Sequence, residues 1–148
     1  MGVLSGKHRR IRIYLVGIAA IVIALCIPFE STCVPEWKIK VIDLNQSPEP
    51  ARPIRETWND YTLDISAVND HEDTRTTNEN GIVLFPERTT RASLLFRLFA
   101  RTLDLFKPLI RHSSAGIHAS VFCLDNSDSF ISYSGTGTPP EFLVLSEE

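Results

Sequence analysis

Hydrophobic residues follow three different rhythms along this chain. From Ile11 to Phe29 they run almost unbroken, with Arg12 the only charge before Glu30. From Trp37 to Leu44, and again after Ile82 and Ile117, short apolar stretches alternate with polar residues. From Ser93 to Phe106 the apolar positions recur at helical spacing, with no Gly, Pro, Val or Ile among them. The first rhythm predicts a helix of roughly 28 Å, close to the hydrocarbon thickness of a bilayer. The second predicts strands and the third an amphipathic helix.

Trp37-Lys38-Ile39-Lys40-Val41 has the alternation of a half-buried strand, which Ile42-Asp43-Leu44 continues. Asn45 to Pro53, with three prolines, reads as a turn and an irregular connection. Ile54 to Ile65 is a second extended stretch, with Trp58, Tyr61, Leu63 and Ile65 expected in the core, and polar Asn69 to Asp73 breaks it. Thr74 to Thr77 and Ile82 to Phe85 flank Asn78-Glu79-Asn80-Gly81, an Asn-Gly hairpin signal. Ile117 to Leu124, Phe130 to Tyr133 and Phe142 to Leu145 complete the set, the last two separated by the loop Gly135 to Pro140. Six or seven short strands with turn signals between them predict a mainly β protein, an antiparallel β-sandwich.

The amphipathic helix is expected as an insertion at about 90–107, capped by Thr89 or Thr90 and ended by Pro108. Leu95, Leu98, Phe99, Thr102 and Phe106 share one face, with Arg97, Arg101 and Asp104 nearer the other. Such a helix either covers its own sheet or meets a membrane or a partner. Arg97, Arg101, Phe99 and Phe106 mark the surface that would do the latter.

Charge fixes the orientation of the first run. Lys7, His8, Arg9, Arg10 and Arg12 cluster at its start, and all 18 Asp and Glu residues follow it. The positive-inside rule makes 1–10 a cytoplasmic N-terminus, 11–29 a transmembrane signal anchor, 30–36 a short tether and 37–148 an exported domain. A cleaved signal peptide has the same layout, and a buried helix of a water-exposed domain is a third reading. Ala24-Leu25-Cys26 is a poor cleavage signal, and Leu25 stands where a lipoprotein signal needs a small residue. Ala20 and Ala24 form a small-x-x-x-small pair suited to helix pairing. The acidic exported part has no electrostatic footprint for nucleic acid.

Reactive chemistry is sparse. Cys33 and Cys123 would share an oxidising compartment, where they could form a disulfide or remain as two thiols. No Cys/His spacing matches a metal site, and no cofactor is expected. His71, His112 and His118, near Glu72 and Asp73, are the residues from which a hydrolytic or metal-dependent site could be built, although their spacing fits no ligand pattern. Ser113, Ser114 and Ser134 lack a nucleophile elbow. Gly135-Thr136-Gly137 leads into prolines rather than into a phosphate-binding helix.

Lys40-Val41-Ile42-Asp43, the Pro-rich turn and Thr77-Asn78-Glu79-Asn80-Gly81-Ile82-Val83-Leu84-Phe85-Pro86 resemble bacterial carboxypeptidase regulatory-like domains, of the prealbumin-like or transthyretin-like sandwich class. Asn78 stands where those domains commonly carry Asp. Glu87 to Leu95 and Gly116 to Ala119 resemble the helical insertion and next strand of a membrane-anchored subgroup, so the likeness spans roughly Trp37 to Leu145. It implies a prealbumin-like (Ig-like) sandwich behind a membrane helix and says little of function, because such modules are structural, adhesive or accessory. Tyr133-Ser134-Gly135-Thr136 loosely echoes the terminal Tyr-Arg-Gly-Ser of transthyretin-related hydroxyisourate hydrolases, without its Arg. The resulting expectation is a non-catalytic envelope module in a bacterial inner membrane, its domain periplasmic or extracellular and its partner an envelope protein. An exported hydrolase using His71, His112 or His118 is the alternative.

Overall fold

The computed structural model describes residues 3–63, 71–104, 116–126 and 128–146, with side chains of the first helix from Arg10 onward. That helix, α1 (Val3–Cys26), starts ahead of the apolar run, taking in the basic cluster Lys7 to Arg10 expected as a separate N-terminal segment. It ends at Cys26, short of the expected Phe29, because Pro28 supplies no backbone donor and its ring disfavours helix at Ile27. Ile27 N still reaches Ala24 O at 3.3 Å, closing the last turn. Among the described residues no helix is long and apolar enough to cross a membrane.

A strand replaces the expected tether. β1 (Pro28–Val34) pairs antiparallel with β6 (Arg88–Ser93), from Pro28 opposite Ser93 to Val34 opposite Arg88, with an irregularity between Thr32 and Val34. Consequently the helical insertion starts later than its pattern suggested. Arg88 to Ser93 is extended, and α2 (Leu94–Asp104) follows directly. Its N-cap is Ser93, whose Oγ accepts a hydrogen bond from Phe96 N at 3.2 Å, while Thr89 and Thr90 belong to the strand. Pro108 and Phe106 lie outside the described residues.

Two larger sheets enclose the core. In one, β2 (Trp37–Ile42) lies between β5 (Ile82–Phe85) and β9 (Phe142–Val144). The pairing with β9 is parallel, so the sheets are not wholly antiparallel. The other has the order β4 (His71–Thr76), β3 (Pro53–Asp60), β7 (Ile117–Cys123), β8 (Phe130–Tyr133), all antiparallel. Trp37, Ile39, Val41, Val83, Phe85 and Leu143 from the first sheet meet Ile54, Ala119, Val121, Cys123 and Tyr133 from the second in one buried cluster. Cys33 and Val34 of β1 join it. The protein is thus mainly β, with the facing sheets of a β-sandwich.

The alternation of β2 is realised as read, with Trp37, Ile39 and Val41 buried and Lys38 exposed. Trp37 Nε1 donates to Pro140 O at 2.6 Å, and its ring meets Tyr133 edge-on. The Asn-Gly turn is present too: Gly81 has φ 69°, and Asn78 Oδ1 accepts from Asn80 N and Ile82 N at 2.9 Å each. Its arms, however, do not pair with each other. β4 pairs with β3 and β5 with β2, so the turn is a corner carrying the chain from one sheet to the other. Trp58 and Tyr61 are partly rather than fully buried, and Ile65 lies outside the described residues.

Candidate functional site

The most ordered chemistry lies where the three sheets converge. Ile54, Glu56 and Trp58 alternate along β3, so Glu56 points to the core side and is fully buried. Its register partner on β4 is Asp73, which places two carboxylates opposite each other. Like charges so placed repel. Arg88, at the start of β6, resolves the conflict: its Nη2 donates to Glu56 Oε2 at 2.7 Å and to Asp73 Oδ2 at 2.6 Å, and its Nε to Glu56 Oε2 at 3.0 Å. The guanidinium carbon lies 4.0 Å from the centre of the Trp58 ring. His71, opposite Trp58 in register, stacks on the same indole with centroids 5.4 Å apart. Arg75 extends the network, donating to Asp73 Oδ2 at 3.0 Å and to Leu84 O at 2.9 Å, and so links β4 to β5.

Burial and charge act on the two carboxyls in opposite directions. Burial pushes Glu56 above the ordinary glutamate range despite the opposing bonds from Arg88. The Arg88 hydrogen bond holds Asp73 below its ordinary range. Burial works against the Arg88 cation, but Asp73 and Glu56 outweigh it and keep the guanidinium charged. Among the described residues, Glu56 Oε1 is buried with no hydrogen-bond partner. What the cluster does is clamp β6 and β4 onto β3.

His71 and His118 do not meet. His71 is opposite Trp58 and His118 is opposite Asn59, and adjacent residues of a strand face opposite ways, so these two imidazoles lie on opposite faces of the four-stranded sheet. His118 packs edge-on against Tyr61 instead. His112 is outside the described residues. Among the described residues no group of three His, Cys, Asp or Glu could hold a metal.

Nor is the Cys33 to Cys123 bond formed. Both thiols are buried and free, and Cys26, also free, is exposed. Cys33 Sγ donates to Arg88 O at 3.1 Å, at the β1/β6 ladder, and burial raises its pKa. Cys123 sits at the far end of β7, opposite Ile54.

The surface assigned to Arg97, Arg101, Phe99 and Phe106 is divided by the fold. Arg97 folds back from α2 and donates to three backbone oxygens: Phe29 at 3.2 Å, Ala92 at 3.3 Å and Thr90 at 3.3 Å. Its guanidinium carbon lies 4.6 Å from the Phe29 ring centre, which pins α2 to the segment leaving α1. Arg97 and Arg101 both line a cleft of about 420 Å³ between α2, β1 and the end of β3. Leu95, Leu98, Phe99 and Leu103 are exposed on the helix. Phe106 is outside the described residues.

The chain matches no protein-family model, no curated protein and no solved structure.

Proposed function

We propose that this chain is a single-pass membrane protein whose prealbumin-like sandwich is a non-catalytic, extracytoplasmic accessory or interaction module held against the outer membrane surface. The observation that carries the reading is the uncovered apolar girth of α1. Ile13, Tyr14, Val16, Ile18, Ile21 and Ile23 point in all directions around the helix, and each is more than half exposed. A helix apolar all round is at home in a protein interior or in lipid, and here no sheet covers it. Of its 24 residues the uncharged part, Ile13 to Cys26, is about 21 Å long, short of a full span by itself. The reading therefore needs Ile27 to Phe29 and the snorkelling Arg12 to complete it, with the basic cluster at the N-terminal end. α2 packs beside it and bares Leu95, Leu98 and Phe99 at the level where α1 ends, as an interfacial helix would.

Alkaline carbonate extraction tests the membrane assignment, and a C-terminal reporter active only after export tests orientation. The expected result is a protein retained in the membrane pellet with an active reporter. Release into the carbonate supernatant, or a reporter active only in its cytoplasmic form, would overturn the reading. An accessory role further predicts a stoichiometric partner after mild cross-linking in intact membranes; a protein that remains solitary there counts against it.

A further inference from the structure

The cleft beneath α2 carries charge that its own fold uses only in part. Arg97 and Arg101 are one helical turn apart and both line it. Cations at this spacing repel each other. Among the described residues neither is ion-paired: Arg97 spends donors on neutral carbonyls, and Arg101 has no hydrogen-bond or ion-pair partner. The carboxylate in the cleft, Asp60, is already committed, its Oδ1 accepting Thr62 N at 3.1 Å and Leu63 N at 3.2 Å. Two guanidinium groups, neither in an ion pair among the described residues, therefore sit with the Asp60 carboxylate over a floor that includes Leu63, Leu94, Leu98 and Ile117.

We propose that this cleft binds the phosphate of an anionic lipid headgroup, met by the guanidinium fork of Arg101 and by the remaining Nη1 of Arg97, with the glycerol and the first acyl carbons against Leu94 and Leu98. The proposal rests on the membrane reading above. Position argues for lipid as the source of the phosphate, because Arg97 is bonded to Phe29, three residues past the end of α1. That places the cleft at headgroup depth if α1 spans the bilayer. A guanidinium fork matches phosphate oxygens in bidentate fashion, and the leucines match what lies beneath a headgroup. Arg101 is the residue to test, since it is exposed and its removal breaks no bond of the fold.

The experiment uses the full chain in nanodiscs of phosphatidylcholine with or without phosphatidylglycerol, reading the lipids retained after gentle delipidation by native mass spectrometry. Phosphatidylglycerol is expected to be retained over phosphatidylcholine, with Arg101→Gln reducing the preference about fivefold, the equivalent of ~1 kcal/mol for one basic residue beside anionic lipid. Arg101→Lys should keep part of it. Equal retention of both lipids, or an unchanged preference in Arg101→Gln with an unchanged melting temperature, overturns the proposal. So does equal protection of the delipidated protein by inorganic phosphate alone, which would make the cleft a site for free anions. Carbonate extraction of the same preparations separates the two failures: a firmly integral protein without lipid preference defeats the cleft and leaves the membrane reading intact.

Discussion

Replacing Arg88 by methionine would leave Glu56 and Asp73 facing each other across two strands with no cation between them. Breaking a buried pair from one side costs about 3 kcal/mol or more, because the surviving charge stays desolvated. Urea denaturation of Arg88→Met should therefore show a loss of that order, partly recovered in the double variant with Glu56→Gln. The pH dependence separates the two carboxyls. Asp73, held below its unfolded pKa, contributes stability that is present above that value and lost as pH falls through the lowered one. Glu56, raised by burial, has the opposite sign, its contribution being lost as pH rises through the raised value. Denaturation midpoints measured downward from neutral pH should fall on the acid side in the parent and fall less in Asp73→Asn. Glu56→Gln should instead remove the loss that accompanies rising pH.

This cluster was half legible. Strand alternation from Ile54 to Trp58 puts Glu56 on the core side, but a glutamate there contradicts composition, and its partners lie far along the chain. Gly81 was fully legible, since a turn of this kind needs a left-handed residue. Its Cβ would lie 2.7 Å from Val41 O and 2.9 Å from Glu49 N, so Gly81→Ala should lose more than about 1 kcal/mol in the same assay.

Among the elements, β2 and β7 were readable because each buries alternate residues on one face of a sheet. β1 and β6 were not. Pro-Phe-Glu-Ser-Thr-Cys-Val and Arg-Thr-Thr-Arg-Ala-Ser show little alternation, and each becomes a strand by pairing with the other at long range. Pattern alone thus reads the first as a tether and merges the second with the helix behind it. The arms of the Asn78–Gly81 turn were read as partners for a related reason: local chemistry specifies the turn, while the sheet that each arm joins depends on β2 and β3. Truncation distinguishes a tether from a strand. A chain starting at Pro28 should keep a cooperative melt, whereas one starting at Trp37 should melt markedly lower, since it removes buried Cys33 and Val34 and leaves β6 without its partner. For α2, Ser93→Ala should cost about 1 kcal/mol by removing the N-cap oxygen, measurable as a shift in the urea midpoint.

For the molecule as a whole, the division between apolar and polar surface is what a bilayer would act upon. The chain from Pro28 lacks α1 but keeps Leu95, Leu98 and Phe99 on α2, so it should float with vesicles in a density gradient. Charging that face with Leu98→Asp and Phe99→Asp should abolish flotation without changing the melt; flotation that persists would count against interfacial contact through α2. A further consequence follows from the single residue, Ile27, between α1 and β1. With so little slack, a pull transmitted along α1 cannot be absorbed by reeling out loose chain. It arrives as load on the ladder joining β1 to β6. When that load is directed along the strands, the backbone bonds from Pro28 to Val34 bear it together rather than one after another. The join between helix and sandwich would then behave as a rivet, and an extension experiment drawing on the two chain ends should meet its resistance in that ladder.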